Sequence, residues 1–150
     1  MGNPNSKDDN IQVAITIRTD LASNLIESCG RRSIKSMHGT YLRAYKDVSM
    51  VDMAPHNQAW EKWYVEVLNG KVVFKAIHSP HKFLRAHPNF NVDLTDQQPR
   101  EWEQFVPIKS KDGSWSFLSH HGTWLSAQKN GSVSLVNSCN LMEQFWLEAW

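Results

Sequence analysis

Cysteine is scarce in this chain, with only Cys29 and Cys139 among 150 residues. They stand far apart and show no Cys-x-x-Cys or Cys/His ligand spacing, so both read as free thiols and neither a disulfide scaffold nor a zinc site is indicated. No apolar run reaches the roughly 18 residues that a membrane-spanning helix needs. Net charge is nearly absent too, at +1. The constellations of catalysis are also missing: there are no placed paired carboxylates, no nucleophile elbow, no Gly-rich phosphate loop and no His-Glu-x-x-His. The expectation is a protein that is not an enzyme and uses no cofactor and no metal. The first residues, Met1-Gly2-Asn3-Pro4-Asn5-Ser6, lack the apolar centre of a secretion signal and lead into the charged run Lys7-Asp8-Asp9. This points to a cytoplasmic protein.

Large apolar side chains, by contrast, are plentiful. Hydrophobic residues make up 41% of the chain, and seven Trp, six Phe and three Tyr supply bulk for one core. They recur with a period. Gly39-Thr40-Tyr41-Leu42-Arg43-Ala44, His81-Lys82-Phe83-Leu84-Arg85-Ala86 and Gly122-Thr123-Trp124-Leu125-Ser126-Ala127 align as an aromatic-Leu-x-Ala unit at steps of 42 and 41 residues. A second signal keeps the same register: Trp60-Glu61-Lys62-Trp63, Trp102-Glu103-Gln104-Phe105 and Met142-Glu143-Gln144-Phe145. Such a period marks a repeat architecture.

Each unit opens on a glycine turn and an alternating segment, which predicts four short strands per unit. The strands are predicted through Ile34, Leu42, Val48 to Met50 and Trp63 to Leu68 in the first unit. In the second they run through Phe74, Leu84, Val92 to Leu94 and from Phe105 onward; in the third, through Phe117, Leu125, Val133 to Leu135 and Phe145 to Trp150. Three such units are too few to close a propeller but can close a barrel without exposed edges. The predicted fold is all-β, a β-trefoil over residues 30–150 (units 30–69, 70–112 and 113–150) behind an N-terminal extension, residues 1–29. Within that extension Ile11, Val13, Ile15 and Ile17 alternate like a strand, and Leu21 to Ser28 has the length of one or two helical turns. Two departures from the repeat stand out: two extra residues near Ser79-Pro80, and Pro107 inside a strand, where an edge or bulge is expected.

The Gly-x-aromatic-Leu-x-Ala hairpin, the phrase Asp112-Gly113-Ser114-Trp115-Ser116-Phe117 and the closing Phe145-Trp146-Leu147 resemble the fascin-like and hisactophilin-like trefoils, over residues 30–150. The resemblance implies an actin-binding or cortical cytoskeletal adaptor with actin filaments as partner. It also implies acylation at Gly2, which fits the Met-Gly-x-x-x-Ser pattern, and attachment at the inner face of the plasma membrane. Charge distribution points the same way. Residues 30–85 hold ten Lys and Arg against four acids, a local excess of +6. Arg31, Arg32, Lys35, Arg43, Lys46, Lys71, Lys75, Lys82 and Arg85 are therefore candidates to face actin or an anionic membrane surface; nucleic acid is not expected. His38, His78, His81, His120 and His121 fall at the turn after the first strand of each unit, and the resemblance makes them candidates for pH sensing. Two alternatives stay open. One is a general protein-interaction trefoil. The other is a carbohydrate-binding trefoil, since Gln58-Ala59-Trp60 matches the Gln-x-Trp phrase of ricin-type lectins, although its counterparts are Arg100-Glu101-Trp102 and Asn140-Leu141-Met142.

Overall fold

The structure, a computed structural model, describes residues 20–150. Twelve strands follow one another in three sets of four. The first set is β1 (Gly30–Ser36), β2 (Tyr41–Ala44), β3 (Val51–Ala54) and β4 (Trp63–Leu68). The second is β5 (Lys71–Ala76), β6 (Phe83–Ala86), β7 (Val92–Thr95) and β8 (Phe105–Lys109). The third is β9 (Trp115–Ser119), β10 (Trp124–Ala127), β11 (Val133–Val136) and β12 (Phe145–Ala149). The outer strands of each set join head to tail: β1 with β4, β4 with β5, β5 with β8, β8 with β9 and β9 with β12. Pairing of β12 with β1 closes the ring. A closed ring has no free edge to recruit another strand.

The remaining pairs, β2 with β3, β6 with β7 and β10 with β11, are hairpins laid across the barrel. They are tied to one another in a cycle. Met53 N donates to Gly131 O at 2.8 Å, Leu94 N to Ser49 O at 3.3 Å and Leu135 N to Phe90 O at 3.0 Å. Donors and acceptors each step by 41 residues, so the three bonds are one contact repeated by a threefold axis. The fold is a β-trefoil.

The periodic apolar residues fill its interior in threes. Ile34, Phe74 and Phe117 come from the first strands, Leu42, Leu84 and Leu125 from the second, and Trp63, Phe105 and Phe145 from the fourth; all nine are fully buried. Met53, Leu94 and Leu135 complete the set from the third strands. Trp63 stands where the other units use Phe. Its extra polar atom is satisfied, because Nε1 donates to Leu42 O at 2.9 Å, as a buried indole requires.

Strand β3 begins at Val51, not at Val48 as the alternation predicts. The first hairpin loop, closed by Tyr45 N to Met50 O, is one residue longer than the loops closed by His87 N to Asn91 O and Gln128 N to Ser132 O. Val48 and Met50 alternate by accident and lie exposed. The two extra residues of the second unit are where the repeat places them. The turn bounded by Ala76 N to Lys82 O is two longer than those bounded by Ser36 N to Thr40 O and Ser119 N to Thr123 O. His81 occupies the left-handed conformation there, φ +63°, that Gly39 and Gly122 take in the other units. Pro107 pairs with Phe117 inside the β8–β9 ladder. Its carbonyl accepts from Asn24 Nδ2 at 3.2 Å, so the side of this residue that lacks an N–H faces away from β9 and no ladder bond is lost.

A helical segment, residues 20–28, lies over this strand. Leu25 packs on the core and Glu27 pairs with Lys109. Gly2 and the alternating segment from Ile11 to Ile17 lie outside the described residues.

Candidate functional site

The residue between Leu and Ala in the hairpin strand points away from the barrel core, because side chains alternate along a strand, though in the third unit that residue is itself covered and fully buried. It is Arg43 in β2, Arg85 in β6 and Ser126 in β10. Antiparallel register places Asp52, Asp93 and Ser134 directly opposite them. Two of the three units thus build a cross-strand ion pair, and the third builds a pair of serines. Arg43 Nε and Nη2 reach Asp52 Oδ1 and Oδ2, both at 2.8 Å. Arg85 grips Asp93 in the same two-pronged way, also at 2.8 Å. Such fork geometry is strong and directional.

The Trp-Glu repeat lies next to these pairs, in the 3-10 turns Ala59–Glu61, Glu101–Glu103 and Leu141–Glu143. Each turn directs its glutamate inward to accept a backbone N–H three residues back: Gln58 N at 2.8 Å, Arg100 N at 3.0 Å and Asn140 N at 2.7 Å. The glutamates recur for this structural reason. The preceding residue is then left facing out, and Trp60, Trp102 and Met142 are 37%, 38% and 37% exposed.

Rings pin both tryptophans. Tyr45 and His78 flank Trp60 at centroid distances of 5.7 and 5.9 Å. His87 and His121 flank Trp102 at 5.3 and 5.2 Å. A pocket of about 210 Å³ is lined by Arg43, His56, Gln58, Ala59, Trp60 and Glu61. Its counterpart, about 270 Å³, is lined by Arg85, Gln97, Arg100, Glu101, Trp102 and Glu103. At the equivalent positions the third unit has neither charge pair nor indole, and the hollow beside Leu141 and Met142 is mainly apolar.

Arg43 and Arg85 line these pockets but their aspartates do not; Asp93 lines a separate hollow with His87, Asn89 and Asn91. Asp52 accepts two bonds from Arg43 and one from Tyr45 OH at 2.9 Å, which leaves about one of its four lone-pair sites open, beside the unused Nη1 donors of Arg43. A hydroxyl group both donates and accepts, and fits such an edge. At Asp93 burial alone would raise the carboxyl pKa, but the hydrogen bonds from Arg85 and His87 outweigh it and hold the group below the ordinary aspartate value. A depressed native pKa stabilises the fold above the unfolded-state value, about 3.9, and that contribution disappears as pH falls through the native value. Urea midpoints measured from pH 6 down to pH 2 are therefore expected to fall more steeply for the parent than for Asp93→Asn. Parallel curves would remove this pair from the acid response.

The histidine candidates divide. His38, His78 and His121 hold equivalent positions, and His78 Nε2 and His121 Nε2 bond the carbonyls of Ala44 and Ala86 in the preceding unit, at 2.8 and 2.9 Å. His78 and His121 thus link one unit to the next, whereas the buried His38 Nε2 has no such partner. His81 and His120 are exposed. No group of three or more His, Cys, Asp or Glu converges as a metal site among the described residues.

The basic candidates are dispersed in their roles. Arg43, Arg85, Lys75 and Lys35 are paired with Asp52, Asp93, Glu66 and Glu148. Arg31 lies over the Trp150 ring and Arg32 donates to Glu27 O. Lys46, Lys71 and Lys82 form no ion pair among the described residues. Four of the nine candidates are thus ion-paired, two of them with acids outside residues 30–85, Asp93 and Glu148. Asp52 and Asp93 are the residues that sequence reasoning missed, and the signal was an Arg in the aromatic-Leu-Arg-Ala strand followed by an Asp nine or eight residues on; Trp60 and Trp102 entered the sequence reading only through the Gln-x-Trp phrase and its counterpart.

No family model and no curated protein sequence matches the chain. Solved structures do match its fold. A GlcNAcα1-4Gal-releasing endo-β-galactosidase from Clostridium perfringens superposes with a TM-score of 0.69 at 16% identity, over 78% of this chain and 31% of the other. This chain therefore spans about a third of that enzyme. SeviL, solved bound to asialo-GM1 saccharide, superposes with a TM-score of 0.68 at 14% identity, over 81% of this chain and 98% of SeviL. The resemblance to fascin and hisactophilin holds at the level of the β-trefoil fold and goes no further. The actin-binding adaptor reading, with actin filaments as partner, is corrected: these neighbours are a saccharide-bound protein and a glycosidase, and four of the nine basic residues that motivated it, Lys35, Arg43, Lys75 and Arg85, are held in ion pairs.

Proposed function

We propose that this chain is a non-catalytic saccharide-binding module with two working sites. One observation carries the reading: an outward-facing tryptophan beside a two-pronged Arg–Asp pair, built twice at threefold-equivalent positions. A pyranose has an apolar C–H face and a rim of hydroxyls. An indole covers the face, and a guanidinium with its carboxylate meets the rim as donor and acceptor. Small polar-aromatic pockets of this kind suit one sugar ring each. The saccharide in the SeviL structure and the glycan substrate of the galactosidase support the ligand class.

The third unit, with Ser126, Ser134 and Met142, does not bind. Calorimetric titration with asialo-GM1 saccharide, run beside a panel of neutral glycans, is expected to give two sites per chain. A chain that binds no glycan would end the reading; three sites would contradict the assignment of the third unit.

A further inference from the structure

Glu61 is only 1% exposed, and its Oε2 has no hydrogen-bond partner. Both donors that reach this carboxylate go to the other oxygen: Gln58 N at 2.8 Å and His56 Nδ1 at 2.7 Å, each to Oε1. A buried acceptor without a donor retains its full desolvation penalty. This carboxylate lines the first-unit pocket together with Arg43, His56 and Trp60.

The third unit displays what the second oxygen takes. There Glu143 Oε2 accepts from Ser126 Oγ at 2.5 Å. Ser126 stands at the place of Arg43, and in the first unit Arg43 is turned to Asp52 instead. We infer that a hydroxyl of the bound saccharide donates to Glu61 Oε2 in the first-unit pocket, taking the place that Ser126 Oγ holds in the third unit. This rests on the saccharide-binding reading and names the group that fixes the ring's orientation. An ammonium would also satisfy the oxygen, but the Arg43 guanidinium on the same pocket repels a cation and leaves a neutral hydroxyl unpenalised. His56, whose side chain is 44% exposed, contacts Oε1, and Oε2 is itself buried, so admitting the hydroxyl goes with a local shift of the pocket lining.

The test isolates the first pocket with Trp102→Ala and compares it with Trp102→Ala/Glu61→Gln, using asialo-GM1 saccharide as the probe. Glutamine keeps the shape and an oxygen for Gln58 N–H, but presents an N–H₂ donor where Oε2 was. Affinity is expected to fall by about tenfold or more, the effect of losing a hydrogen bond to a charged group. Monodeoxy analogues of the saccharide, titrated into Trp102→Ala alone, give a readout that does not depend on the Glu61 variant folding. One deoxy position is expected to lose as much affinity as Glu61→Gln does. If every analogue binds like the full saccharide, or the Glu61→Gln variant binds unchanged, the inference falls and the saccharide reading stands. If the unmodified chain binds no saccharide at all, reading and inference fall together.

Discussion

Replacing Phe74 by alanine is expected to lower the unfolding free energy by about 3 to 5 kcal/mol. Phe74 is fully buried and meets two rings edge to face, Phe105 of its own unit at a centroid distance of 5.4 Å and Phe117 of the next unit at 4.9 Å. The rigid barrel around it cannot collapse to fill the space, so lost transfer energy and the remaining cavity add. Domains of this size are stable by only about 5 to 15 kcal/mol. The loss is thus a large share of the whole. Urea unfolding followed by circular dichroism measures it, and Val48→Ala in the exposed loop is the control, expected within about 0.5 kcal/mol of the parent. Equal effects of the two substitutions would mean that the threefold aromatic interior does not hold the fold together.

Residues of this interior were legible from the sequence because packing acts on every unit alike. Leu42, Leu84 and Leu125 must each fill one sector of the same barrel, so the same side chain returns at the same step. The repeated glutamates were legible as a pattern but not as a cause: Glu61, Glu103 and Glu143 recur to accept one backbone N–H each, a role that composition does not announce. Strand β3 of the first unit was misplaced by three residues. Its loop is one residue longer, and Val48 and Met50 offered a false alternation nearby. One residue in a loop moves a strand's start without disturbing the buried pattern on either side.

The site was harder to see, because it depends on cross-strand register and not on spacing along the chain. Arg43 and Arg85 were visible only as members of a basic segment. Their partners Asp52 and Asp93 lie across a hairpin whose loop length differs between the units, so a fixed step does not find them. Once paired, the four charges cancel locally, and what looked like a surface for acidic partners becomes two polar edges beside two indoles. The third unit completes the argument by contrast. It keeps the buried Leu125, Leu135 and Phe145 but has Ser126, Ser134 and Met142 where the other two units carry Arg, Asp and Trp, and Ser126 is itself fully buried. Packing constrains the first set in every unit and leaves the second free to differ.

The double substitution Trp60→Ala/Trp102→Ala is expected to abolish saccharide binding while the protein still unfolds cooperatively. Each indole is more than a third exposed and lies outside the buried apolar core, so its removal takes little from the core. In the pocket it is the only large apolar surface available to a sugar ring, and truncating an aromatic anchor of this kind costs about 2 kcal/mol or more, a loss of about thirtyfold in affinity. The two pockets share no lining residue, so their effects add. Either single variant should therefore reduce the stoichiometry from two to one and leave the surviving site at the parent's affinity. Met142→Ala, at the same position in the third unit, should change neither number. Titration calorimetry of all four variants decides: binding that survives in the double variant, or that disappears with Met142, would place the saccharide somewhere other than beside the two Arg–Asp pairs.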